Sequence, residues 1–233
     1  MDNICFESIM QNSYLSWKNA IEMSLHETMQ FDVAHDLSHI KRVTSTSLYL
    51  AQLERADPNI VYPASMLHDC VNVDKKSPLR SQGSLLSADH AVILLQKIGY
   101  PNALLDPIHH AICAHSFSAH IEPKTIEAMV LQDADRLDAL GAIGLSRCLM
   151  LGGKWDSLLY HVADPFAKER DLNDKQYCLD HLYKKLKKLP ETMKTLSGQA
   201  EAKKRWLFIE SYLKQLKQEI KVDNFDYELE TPL

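Results

Sequence analysis

The sequence predicts an all-α fold, and three observations carry that prediction. Its 233 residues include only 7 Gly and 9 Pro against many Leu, Ala, Lys and Glu, a balance that suits helices better than the turns of a sandwich or barrel. Apolar residues recur at helical spacing along most of the chain. Helix caps and stops separate the periodic stretches: Asp57-Pro58, Gly99 with Pro101, and Pro123-Lys124-Thr125. An apolar content of 45% is enough for a substantial core. No internal repeat, linker or domain boundary stands out, so one helical domain over residues 1–220 and an acidic tail over 221–233 are expected.

In chain order, Ile9, Leu15, Trp17, Ile21 and Leu25 mark one or two amphipathic helices within residues 4–29. A helix then opens near His35-Asp36, with Asp36 as its N-cap, and runs to about Leu53; His39, Val43 and Leu50 share its apolar side. Asp57-Pro58 starts a helix that runs into His68-Asp69, with His68 on the face of Ala64 and Val61. A loop with Lys75, Lys76 and Arg80 follows. Ser84 to Ile98 and Asn102 to about His115 read as helices, and a further one leads from Pro123-Lys124-Thr125 to Gly141. This last is apolar on two sides, which marks it as central and requires partners for its carboxylates. A helix around Arg147 to Leu151 stops at Gly152-Gly153, residues 154–173 look irregular, and helices near 174–188 and 198–221 complete the set. The run Lys184, Lys185, Lys187 and Lys188 reads as a solvated face.

A formal charge of −5 argues against broad attraction to a nucleic-acid backbone. Met1-Asp2-Asn3 opens no secretory signal, and no apolar run of about 18 residues exists for a membrane span. A soluble, cytoplasmic protein is therefore expected. Five scattered cysteines, without a Cys-x-x-Cys spacing, read as reduced thiols.

The chemistry concentrates in His39, His68-Asp69 and the acidic stretch Asp133-Ala134-Asp135, which lie on three different helices. A helical wheel sets Asp133 and Asp135 on nearly opposite apolar sides and does not choose between them. Two imidazoles and two carboxylates facing inward need a partner, and a divalent ion meets that need while leaving positions for water and a phosphate oxygen. Such an ion favours hydrolysis of a phosphoester.

His39, His68-Asp69 and Asp135 together resemble the H…HD…D pattern of the HD superfamily of metal-dependent phosphohydrolases, and this resemblance, unlike the wheel, selects Asp135. Other pieces resemble a small bacterial branch of that superfamily: His35-Asp36-x-x-His39-x-x-Arg42-Val43, His115-Ser116-Phe117-Ser118, Asp133 through Gly144, Asp164-Pro165-Phe166 and Asp180-His181. The likeness covers residues 30–215. It implies an all-helical HD-domain bundle with additional C-terminal helices, holding a divalent metal (Mn, Mg, Fe, Ni or Zn, with Mn or Mg favoured) on His39, His68, Asp69 and Asp135. It also implies hydrolysis of a small phosphorylated substrate, with a nucleotide favoured and nucleoside triphosphate pyrophosphohydrolysis as one form. A phosphomonoesterase, a cyclic-nucleotide phosphodiesterase and a non-catalytic nucleotide-binding regulator are the alternatives.

Around that set, Asp69, His115, Lys75 and Arg80 are the candidate catalytic residues, the two cations as phosphate contacts. Several HD hydrolases carry an acid three residues after the aspartate of the pair, and this chain has Asn72 there. Hydroxide on the metal, Asp74 or His115 is then left as base. His35 is expected to support the site, His110 to lie just behind it and His109 at the surface. Arg147 needs a buried acceptor such as Asp133 or Asp138. Trp17, Trp155 and Trp206 read as packing residues.

Overall fold

The computed structural model describes residues 14–28, 37–71, 73 and 80–222. Its regular elements are α-helices and short 3-10 turns, with one isolated bridge between Leu158 and Tyr177 among the described residues. The helices are α1 (Lys18–Thr28), α2 (Leu37–Glu54), α3 (Pro58–Leu67), α4 (Gly83–Lys97), α5 (Leu105–His115), α6 (Ile126–Leu137), α7 (Gly141–Lys154), α8 (Cys178–Lys184) and α9 (Leu196–Val222), with a single turn at Leu189–Thr192 before α9.

Helix α2 buries His39, Ile40, Val43, Thr44, Ser47, Leu50 and Ala51, the inward stripe of a 3.6-residue period. Arg55, in the left-handed region at φ 58°, ends it. The Asp57 side chain then accepts the Asn59 N–H and Pro58 occupies the first turn of α3, as the sequence predicts. Every residue of α3 from Asn59 to Leu67 is buried, so this helix runs through the middle of the core. Pro63 sits inside it and lacks the N–H that would satisfy the Asn59 carbonyl.

Helices α2, α3 and α5 all pack against α6, and α4 covers the outer side of α5. Thr125 caps α6 by accepting the Ala128 N–H. The two apolar sides of α6 are both covered, one of them by α9, which also packs on α2 and α7. At that contact Asp133 is fully buried and accepts the N–H groups of Lys194 and Thr195 and the Thr195 hydroxyl, at 2.8–3.1 Å. Burial alone raises its pKa, against the pull of these hydrogen bonds. Gly198 lies so close that a Cβ there would meet Asp133 Oδ2 at 2.4 Å.

Some boundaries differ from expectation. Helix α7 runs through Gly152-Gly153 to Lys154, because Gly152 packs against the Cys178 thiol, where a Cβ would come within 2.2 Å. The helix expected near 174–188 is shorter, starting at Cys178 and ending at Lys184. Trp17 packs against the core and Trp206 is 9% exposed, but Trp155 is 55% exposed and is no core residue. Cys70, Cys113, Cys148 and Cys178 are free thiols. No helix among the described residues is long and apolar enough to cross a membrane. Asp36, His35, Asn72, Asp74 and Lys75 lie outside the described residues, as does the tail beyond residue 222; Arg80 begins a 3-10 turn, but its side chain is not among those described.

Candidate metal centre

Four helix ends and turns deliver the site. His39 comes from the first turn of α2, His68 and Asp69 from the end of α3, His115 from the last residue of α5, and Asp135 from α6. His39 Nε2 lies 3.5 Å from Asp135 Oδ1 and 4.0 Å from Asp69 Oδ2. His68 Nε2 lies 3.7 Å from Asp69 Oδ2, and His115 Nε2 lies 3.5 Å from Asp69 Oδ1. The His68 ring stands edge-on between those of His39 and His115, at centroid distances of 5.5 and 4.9 Å.

The opposite ring nitrogens explain why Nε2 points inward in each case. His68 Nδ1 is 2.7 Å from the Ser65 carbonyl and His115 Nδ1 is 2.6 Å from the Ile112 carbonyl. A carbonyl only accepts, so both rings carry their proton on Nδ1 and present a bare lone pair on Nε2. His39 Nδ1 donates to Asp138 Oδ2 at 2.7 Å, which fixes the same tautomer. Asp138 in turn accepts Arg42 at 2.7 and 3.0 Å and also Arg147. Burial alone would raise the Asp138 carboxyl, but hydrogen bonds from His39 and Arg42 and the charge of Arg147 hold it well below the usual carboxylate range.

Burial lowers the His68 pKa and keeps its imidazole neutral. The same pull acts on His115, yet the Asp69 carboxylate outweighs it and the net shift is upward. His68 Nε2 is buried and has no hydrogen-bond partner among the described residues. An acceptor lone pair in that position costs free energy unless something fills it. Two overlapping sets, His39 with His68 and Asp135, and His68 with Asp69 and His115, bring ligand atoms within 4.8 Å of one another. Nitrogen and carboxylate oxygen in this mixture fit a divalent cation.

The set opens onto a cavity of about 300 Å³. Its walls include Ser84, Ser116, Phe117 and Ser118 on one side and Arg136, Ala139, Arg147 and Leu189 on the other. Arg136 is held by a 2.7 Å bond from its guanidinium to the Thr192 carbonyl.

The fold thus brings together His39, His68, Asp69, Asp135 and His115, and it sends Asp133 to the opposite side of α6. Of the two acceptors considered for Arg147, the structure selects Asp138. His110 does not stand behind the site: its Nε2 accepts the Lys124 N–H at 3.0 Å and braces the loop leading into α6. His109, partly exposed, pairs with Asp89 at 2.8 Å. Sequence reasoning gave Asp138 no link to His39, although its need to neutralise Arg147 was a usable signal, and it did not place Arg136 at the cavity.

Comparison with known proteins agrees with this architecture. A family model described as HD domain matches residues 36–140. The protein YpgQ of Bacillus subtilis is 31% identical over 190 residues, covering 80% of this chain and 84% of YpgQ. The crystal structure of Bacillus subtilis YpgQ in complex with ADP is similar to this fold at a TM-score of 0.70 with 29% identity, over 89% of this chain and 96% of that one. A crystal structure of an HD-superfamily hydrolase from Bacillus thuringiensis is similar at a TM-score of 0.69 with 26% identity, over 89% of this chain and 98% of that one. On this match and on the helical scaffold that carries its histidine and aspartate cluster, the chain belongs to the HD superfamily.

Proposed function

We propose that the chain is a metal-dependent phosphohydrolase, acting on a small phosphorylated substrate for which a nucleotide is the best candidate. The observation that carries this reading is the buried, unpartnered His68 Nε2 at the meeting point of two further imidazole nitrogens and two carboxylates. The ADP bound to Bacillus subtilis YpgQ supports a nucleotide as the ligand class. In this reading residues 1–220 act as one HD-type domain in the cytoplasm, followed by the tail 221–233.

His39, His68, Asp69 and Asp135 would hold the ion, with Mn or Mg favoured. When bound, it would neutralise charge on a phosphoryl oxygen and make water more acidic. The protein supplies the rest by fixing atoms in advance. Asp138, Ser65 and Ile112 hold three imidazoles in one tautomer, so no rearrangement is needed when substrate arrives. His115 approaches from α5 on the far side of Asp69, where its Nε2 can hydrogen-bond the phosphate or take up a proton. Arg136, facing the cavity, adds fixed positive charge for an anionic substrate. Lys75 and Arg80 are assigned phosphate contacts on the sequence alone.

The test combines metal analysis of the purified protein with a screen of phosphorylated metabolites read out by product. His68→Ala and Asp69→Ala should each lose both bound metal and hydrolysis while circular dichroism stays native; full activity in either variant overturns the assignment. Pyrophosphate released from a nucleoside triphosphate makes the enzyme a pyrophosphohydrolase, and orthophosphate released from a nucleoside monophosphate makes it a phosphomonoesterase. Tight nucleotide binding with no turnover under Mn, Mg, Ni, Co or Fe would make it a regulator instead.

A further inference from the structure

A second cavity, of about 370 Å³, lies between the irregular segment after α7, helix α8 and helix α9. Its lining is unlike that of the histidine and aspartate cluster. Phe166, Tyr183 and Trp206 provide aromatic surface, and Lys168, Lys187, Lys214 and Lys217 surround it. Glu210 is the sole carboxylate of the lining, and it already accepts the Trp206 Nε1–H at 2.9 Å. Among the described residues no carboxylate lies within ion-pair distance of these four ammonium groups, whereas the neighbouring Lys184 and Lys185 both pair with Asp174 at 2.8 Å. The four exposed ammonium groups share the single carboxylate of Glu210, which leaves the rim with a net positive charge in a chain whose net charge is −5.

The wall that brings in Phe166 and Lys168 is held firmly. Ala167 between them takes the left-handed region at φ 47°, a conformation that costs a non-glycine residue about 1 kcal/mol or more. Asp164 fixes it by accepting the N–H groups of Lys168 and Glu169 at 3.0 and 2.9 Å. Arg170 then ties the segment to α8, with one 2.8 Å bond and a second short one to the buried Asp180. This turn aims an aromatic ring and an ammonium group into the same cavity.

We propose that this cavity binds a small aromatic compound bearing a phosphate, of the nucleoside monophosphate class. The ring lies against Phe166, Tyr183 and Trp206, and the phosphate is neutralised by the lysines at the rim. The volume suits one ring system with its sugar phosphate. This binding needs no metal and is independent of the chemistry assigned to the HD cluster.

The test is calorimetric titration of the full chain with AMP in excess EDTA, which removes metal-dependent binding at the other cavity. Saturable binding is expected. It should weaken at least about tenfold, equivalent to about 1.4 kcal/mol, in Lys187→Glu/Lys214→Glu, a double variant that keeps the wild-type melting temperature and metal-dependent hydrolysis. Phe166→Ala should weaken AMP but leave inorganic pyrophosphate unchanged, and adenosine should bind more weakly than AMP. Absence of AMP binding, or equal AMP affinity in the double variant and the wild type, overturns the proposal. So does inorganic pyrophosphate binding as tightly as AMP, since that would make the lysines a simple anion patch. Should the double variant fail to fold, the comparison of AMP, adenosine and pyrophosphate on the wild-type chain decides the question by the same criteria.

Discussion

The Tyr100 hydroxyl donates a 2.7 Å hydrogen bond to the Asn59 carbonyl, the one α3 carbonyl whose helical donor Pro63 removes. A proline in the middle of the most buried helix would otherwise leave an acceptor without a partner. Tyr100→Phe keeps the ring and its edge contact with Trp17 and deletes only the donor. We expect it to cost about 1–2 kcal/mol, read as a lower urea midpoint with an unchanged slope. An unchanged midpoint would mean that the carbonyl is satisfied by other means.

Asp138 positions His39 without itself facing the carboxylates across the cavity. Asp138→Ala should therefore weaken metal binding by roughly 10–100-fold rather than abolish it. His68→Ala should remove binding altogether. Metal titration of both variants separates the two roles, and equal affinity of Asp138→Ala and wild type would remove Asp138 from the site.

Gly198→Ala sets two effects against each other. Alanine favours helix by about 1 kcal/mol. The added Cβ, however, would sit 2.4 Å from Asp133 Oδ2 and 2.8 Å from Thr195 Oγ1. The clash should win, with a net loss of roughly 1–3 kcal/mol in chemical denaturation. A stabilised variant would show that α9 can slide on α6.

Asp180 contributes a pH dependence of defined sign. Burial acts to raise its pKa, but the Arg170 hydrogen bonds and the Asn173 N–H outweigh it, and the net shift is downward. Its folded pKa therefore lies below the unfolded value of about 3.9, so its stabilisation is complete above that value and is lost as pH falls through the folded pKa. Asp180→Asn should cost roughly 1–2 kcal/mol at neutral pH, since the partly exposed Arg170 loses its charge-assisted hydrogen bonds. Its melting temperature should then fall less steeply than wild type below about pH 4.

Residues within one helix were the most legible in the sequence. His39 with Val43 and Leu50, and His68 with Val61 and Ala64, are buried together as their spacing predicts. The wheel left Asp133 and Asp135 undecided for a physical reason: α6 is covered on both sides, and what separates them is the start of α9, some sixty residues on. The link of Asp138 to His39 and the place of Arg136 at the cavity were illegible for the same reason, since their partners His39 and Thr192 come from distant segments. Helix α7 outlasted its glycines because tertiary packing at Cys178 overrides local propensity.

The carbonyls that aim His68 and His115 both lie three residues earlier on the same helix, whereas the group that aims His39 lies 99 residues away. Two of the three imidazoles thus acquire their orientation as soon as α3 and α5 form. The third depends on α6 packing against α2, which brings Asp138 to it. The centre therefore combines two rings aimed from within their own helices with one aimed across the fold, and the loop between α6 and α7 supplies that long-range partner.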